Sequence, residues 1–139
     1  MRLVRLVTAA GLAISLSTFE SAAQQTLTVA GYGGSFEQTL RKEIIPEFEK
    51  KHNVKVEYVA GNSTDTLAKL QAQKGNQVID VAIVDDGPMY MAIQLGFCDK
   101  IDGLPADDIY DSARYKDDKA VGIGLVATGL MYNTKVFQE

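Results

Sequence analysis

Three apolar runs, Leu27 to Tyr32, Val54 to Val59 and Val78 to Val84, each end in glycine or small polar residues and each lead into a stretch with helical spacing. That alternation constrains the fold more than any other feature. Strands separated by helices pair in parallel through right-handed crossovers, and the helices then cover both faces of the sheet. The expectation is a three-layer α/β sandwich. In open sheets of this kind ligands bind outside the carboxyl ends of the strands, so the residues that end each run are the ones to weigh.

The first run ends in Gly31-Tyr32-Gly33-Gly34-Ser35-Phe36. Ser35 suits a helix N-cap, and Gln38 completes a capping-box pattern. Phe36, Leu40, Ile44 and Phe48 then recur every fourth residue as one helical stripe. Pro46 lacks an N–H and should bend or restart that helix, leaving Glu47 to Lys51 as a last turn. His52, among Lys50, Lys51 and Asn53, reads as a solvated terminus. The second run alternates apolar and polar residues. Asn62, Ser63 and Thr64 follow it as turn and cap residues. A helix with Leu67 and Leu70 inward and Gly75 as its cap comes next. The third run is continuous enough to be buried on both faces. Asp85-Asp86-Gly87-Pro88 ends it, Pro88 suits the first turn of a further helix, Met89, Ile93 and Leu95 pack inward, and Gly96 stops that helix.

Asp99 to Lys119 is acidic and without period, and reads as a surface excursion with short helical turns around Ala106 to Ala113. Val121 to Asn133 is apolar and glycine-broken: a strand with a turn near Ala127-Thr128-Gly129.

Candidate ligand contacts follow from the strand ends. Tyr32, Gly33, Gly34 and Ser35 could cup a ligand with backbone N–H groups and one aromatic face, although a tight turn alone would also ask for glycine. Asn62, Ser63 and Thr64 occupy the equivalent turn, where helix capping is an alternative. Asp85 and Asp86 are the sharpest pair, because two carboxylates at a strand end suit a cation through charge-assisted hydrogen bonds; one of them could instead cap the next helix. Tyr90 reads as core.

Met1 to Ala23 has the layout of a secretory signal: basic Arg2 and Arg5, an apolar stretch of 11 residues from Leu6 to Leu16, and small residues at Ser21 and Ala23. Such a stretch is too short to cross a bilayer, which takes about 20 residues. Cleavage before Gln24 would leave 12 basic and 17 acidic residues, a net charge of −5. That surface has no basic face for nucleic acid and no polybasic membrane patch. The chain has one cysteine, Cys98, and one histidine, His52, which rules out an internal disulfide and a Cys/His zinc site built by this chain alone. Export without disulfides suits a Gram-negative periplasm. No cofactor is expected. An enzyme is the weaker class: a dinucleotide fingerprint would need glycine where Phe36 stands and an acid after the second run, where Val59-Ala60-Gly61 stands. No Gly-Lys-Ser/Thr follows the glycines, and nothing orients a nucleophile–base pair.

Four segments in order resemble the periplasmic solute-binding proteins of ABC importers, in the group with spermidine/putrescine-type and ferric-iron-type binders. They are the strand into Gly31-Tyr32-Gly33-Gly34-Ser35, Ile44 to Lys50, Ile79 to Asp85, and Gly129-Leu130-Met131-Tyr132-Asn133-Thr134-Lys135-Val136-Phe137. The resemblance implies one lobe of a type II periplasmic binding protein-like fold, residues 24–139, ending at the inter-lobe crossover with the second lobe missing. It places Thr128 and Tyr132 beside the ligand cleft. It implies a small polar solute, a cation such as a polyamine if the carboxylates make the contact, and an inner-membrane ABC permease as partner. Tryptophan, frequent in aromatic boxes around polyamines, is absent. The tyrosine ligands of ferric binders come from the second lobe, so no metal site is expected. A non-functional truncated remnant is the alternative reading. A lone lobe would also leave an apolar face open to self-association.

Overall fold

The computed structural model describes residues 24–136. Its sheet has three parallel strands in the order β2-β1-β3. β1 (Gln25–Gly31) sits in the middle and pairs along its whole length with β2 (Val54–Ala60), from Gln25 opposite Val54 to Gly31 opposite Ala60. β3 is reduced to Val81–Ala82. Two further bonds extend its contact with β1, Asp80 N–H to Thr28 O at 3.0 Å and Ile83 N–H to Ala30 O at 2.8 Å. The Asp80 carboxylate also accepts the Thr28 N–H at 2.8 Å.

The alternation of a strand sends successive side chains to opposite faces, and each face has its own helical layer. Ala30 faces α3 (Ser63–Ala72) and α4 (Asp86–Gln94), where Leu70, Ile79 and Ala92 complete the core with Val59, Leu67, Phe97 and Cys98 packed against it. Leu27 and Val29 face the other layer, made of α1 (Gly34–Thr39), a π-helical turn (Leu40–Ile44) and α2 (Ile45–His52). The expected α/β sandwich of three layers is the observed architecture.

Pro46 restarts the helix as its chemistry requires. The Ile45 N–H reaches back five residues to the Leu40 carbonyl, and Pro46, in the first turn of α2, supplies no N–H to the ladder. Asn53 ends α2 in the left-handed region, φ 53°, a conformation asparagine tolerates. Between this layer and the sheet lies an apolar cavity of about 240 Å³ lined by Leu40, Ile44, Phe48, Val81 and Ile83 among others.

Three expectations need correction. β3 is not buried on both faces: Val78 and Val81 are half exposed because no described element pairs with the outer edge. Leu95 is exposed, and Ala92 takes the inward position on α4. No strand forms over Val121 to Asn133; apart from one bridge between Arg114 and Val121 the segment has no ladder partner, and Ile123, Leu125, Val126, Leu130 and Met131 are 70–99% exposed. A strand needs a neighbour for its N–H and C=O groups, and none is described here. The excursion does carry short turns, at Ala106–Asp108, Asp111–Ala113 and Lys116–Asp118. Met1 to Ala23 and Phe137 to Glu139 lie outside the described residues.

Candidate functional site

Side chains from the carboxyl ends of all three strands meet at one point. Tyr32 follows β1, Ser63 begins α3 just past β2, and Asp85 closes the loop after β3. The Tyr32 hydroxyl donates to Asp85 Oδ1 at 2.7 Å, and the Ser63 hydroxyl donates to Asp85 Oδ2 at 2.7 Å. The Asp85 N–H returns a bond to Ser63 Oγ at 2.9 Å, and Tyr32 Oη lies 3.2 Å from the same oxygen. Hydrogen bonds from Ser63 first and Tyr32 second hold the Asp85 carboxyl below the usual carboxylate range. Burial pushes the Tyr32 phenol up, and the charge of Asp85 adds to the shift.

The turn that carries Tyr32 is fixed from the neighbouring strand. Tyr58, buried on β2, donates its hydroxyl to the Tyr32 carbonyl at 2.8 Å. A Cβ on Gly31 would stand 2.5 Å from that hydroxyl oxygen and 3.3 Å from Ile83 Cβ, so glycine is needed there for close approach. Arg41 holds the Tyr58 strand from outside, donating to the Tyr58 carbonyl at 3.0 Å and lying 5.4 Å above its ring.

Of the other sequence candidates, Gly33 is the N-cap of α1 and Gly34 sits at φ +67°, so glycine is conformationally required there. Ser35 is not the cap. It lies one residue inside the helix, exposed, and its carbonyl accepts from Thr39 Oγ1 at 3.0 Å. Asn62 caps α3, its Oδ1 accepting the Asp65 N–H at 2.8 Å. Thr64 is exposed on the first turn of α3. Asp86 accepts the Tyr115 hydroxyl from the excursion. That bond, with burial behind it, pushes the Tyr115 phenol up to about 12, and Tyr115 packs edge-on to Tyr90 at 5.5 Å. Tyr90 is half exposed rather than core. Thr128 is exposed and Tyr132 is 67% exposed, both on the segment after Val121 that forms no strand.

Tyr32, Asp85, Asp86, Tyr115 and Thr128 all line a broad open concavity of about 1500 Å³. Among the described residues no group of His, Cys, Asp and Glu could hold a metal ion. Sequence reading missed Tyr58, which the alternation of β2 could have placed inward, and Tyr115, for which the patternless excursion gave no signal.

Asp85 should leave a signature in acid. A carboxyl whose folded pKa is lowered stabilises the fold above its unfolded pKa, and that contribution is lost as pH falls through the folded value. The destabilisation caused by Asp85→Asn, read as the shift in urea midpoint, should therefore be largest at neutral pH and shrink on acidification below the ordinary aspartate range. Glu49, held low chiefly by the Val56 N–H and then by Lys55, gives the variant a residual slope of the same sign. A deficit that stays constant with pH would show that the cluster does not depend on the Asp85 charge.

The arrangement of strands and helices is shared with solved binding proteins. A candidate extracellular solute-binding protein from Bordetella parapertussis is 31% identical, with 58% of this chain and 25% of that chain covered and a TM-score of 0.54. The Trichodesmium protein FutA, solved with iron and citrate, is 18% identical over 68% of this chain and 29% of that one, TM-score 0.58. AfuA from Actinobacillus pleuropneumoniae, solved with fructose-6-phosphate, is 23% identical over 65% and 28%, TM-score 0.55. The matched part thus spans a quarter to three tenths of these structures. No curated protein sequence matches the chain. The sequence model of one family covers residues 33–139, and on that match the chain belongs to the bacterial extracellular solute-binding proteins.

Proposed function

We propose that this chain is the ligand-facing N-terminal lobe of the substrate receptor of an ABC importer. Met1 to Ala23 directs it to the periplasm, and it binds a small polar solute, a cation by preference, for transfer to an inner-membrane permease without chemistry. The observation that carries the reading is the meeting of Tyr32, Ser63 and Asp85 at the carboxyl ends of three parallel strands, where α/β sheets bind ligands. Family membership supports the receptor role. The ionised Asp85 beside Asp86 supports the preference for a cation such as a polyamine.

The concavity at these strand ends is larger than the ~300–1,000 Å³ of an enclosed small-molecule pocket. It has the character of half a cleft that a second lobe would close. Contacts on one side only leave the solute in water, so affinity should be near millimolar, about −4.1 kcal/mol. A thermal-shift screen of the protein beginning at Gln24 against polyamines, amino acids, sugars and metal salts, followed by NMR titration of any hit, tests the reading. Shifts should gather at Tyr32, Ser63 and Asp85. No hit in any class, or shifts confined elsewhere, would favour a remnant that folds without binding.

A further inference from the structure

Two hydroxyl protons in the cluster must serve three close oxygen pairs. Tyr32 Oη and Ser63 Oγ each lie 2.7 Å from a different oxygen of Asp85, and they lie 3.2 Å from each other. Giving either proton to the longer pair would set a hydroxyl lone pair against a carboxylate oxygen at 2.7 Å, a repulsive contact. Both protons therefore go to Asp85. The Asp85 N–H also takes up a lone pair of Ser63 Oγ. Ser63 is 4% exposed and works from behind, whereas Tyr32 and Asp85 line the concavity. Beside them the Tyr115 hydroxyl spends its proton on Asp86. The protons of all three hydroxyls are thus turned onto carboxylates, and what these residues still offer the concavity is lone pairs.

We propose that this cluster forms an acceptor-only patch at the strand ends, so that it takes solutes presenting ammonium or other N–H donors there and turns away carboxylates and phosphates. The inference rests on the solute-receptor reading given above. Fixed polarity of this kind discriminates, because an anion would set its own acceptors against the Asp85 and Asp86 carboxylates. The starts of α3 and α4 would otherwise attract an anion. Ser63 and Asp85 stand at those starts, so the helix ends already meet a carboxylate of the chain. Lys100 and Lys119 line other parts of the concavity, and among the described residues neither forms an ion pair that would neutralise Asp85 or Asp86. Ser63 acts here as a positioning residue, through Asp85 rather than on the solute.

Asparagine at position 85 would keep one acceptor oxygen and gain an amide donor, so one of the two hydroxyls would have to turn its proton outward. The test is NMR titration of the protein beginning at Gln24 with putrescine and, separately, with inorganic phosphate. The wild type should shift at Tyr32, Ser63 and Asp85 with putrescine and stay still with phosphate. Asp85→Asn should weaken putrescine about tenfold or more and admit phosphate. Ser63→Ala keeps the charge but loses the lock, and serves if Asp85→Asn does not fold: putrescine should weaken and the Asp85 carboxyl carbon should titrate closer to its ordinary range, a change that a purely structural serine would not produce. Phosphate shifts at these residues in the wild type, or silence from both probes, overturn the acceptor-only assignment. The broad solute screen separately decides whether the lobe is a receptor at all.

Discussion

Leu70→Ala should destabilise the protein by about 2–5 kcal/mol and bring it close to unfolding at room temperature. Leu70 is 6% exposed on α3, and its partners in the core are Ala30, Ile79 and Ala92. Two of these three are alanines whose side chains cannot swing into a vacated volume, so the cavity would stay open and the loss should sit high in that range. Typical domains are stable by only about 5–15 kcal/mol. Urea unfolding followed by circular dichroism checks it, with Leu125→Ala as the control: Leu125 is 97% exposed, and its truncation should move stability by no more than about 0.5 kcal/mol. Equal effects from the two would show that the core is not where the structure places it.

The second large effect concerns association. Ile123, Leu125, Val126, Leu130 and Met131 are exposed along one stretch, and Val81 on β3 and Val78 just before it are exposed as well. An unpaired strand edge and an extended apolar segment are complementary between copies, since each has backbone groups and apolar surface that the other can cover. Sedimentation velocity should show dimers and larger species whose share grows with concentration. Leu125→Lys combined with Met131→Lys should return the protein to monomer without changing its far-UV circular dichroism. A wild type that stays monomeric at every concentration would argue that something in the free chain already covers these residues.

What the sequence made legible was whatever depends on near neighbours. Each helix start and stop at Asn62, Pro46 and Asn53 rests on one residue acting on its own turn, and the inward side of α3 followed from the spacing of Leu67 and Leu70. The failures depend on distant partners. Val78 to Val84 has the composition of a central strand, but its width and burial hang on a neighbour that the described chain does not provide. The same holds for Val121 to Asn133. Ser35 is a good cap by type, but Gly33, two residues earlier, takes the N-cap position, with Gly34 after it at positive φ. In the candidate site, position was legible and wiring was not. Tyr32, Ser63 and Asp85 all stood among the strand-end residues, whereas the bonds that tie them cross 22 to 53 residues of sequence. Nothing local reports a bond of that span.

The π-helical turn before Pro46 also sets the phase of the first helical layer. In an α-helix of 3.6 residues per turn a four-residue step overshoots by about 40°. Residues spaced like Leu40, Ile44 and Phe48 would therefore spiral off the sheet. A turn closed over five residues instead of four, as between Ile45 and Leu40, winds the helix back by roughly one residue, about 100°. Leu40, Ile44 and Phe48 consequently face the same cavity. The proline that interrupts the hydrogen-bond ladder thereby keeps a four-residue stripe in line with a flat partner, much as a leap day keeps a calendar in step with the season.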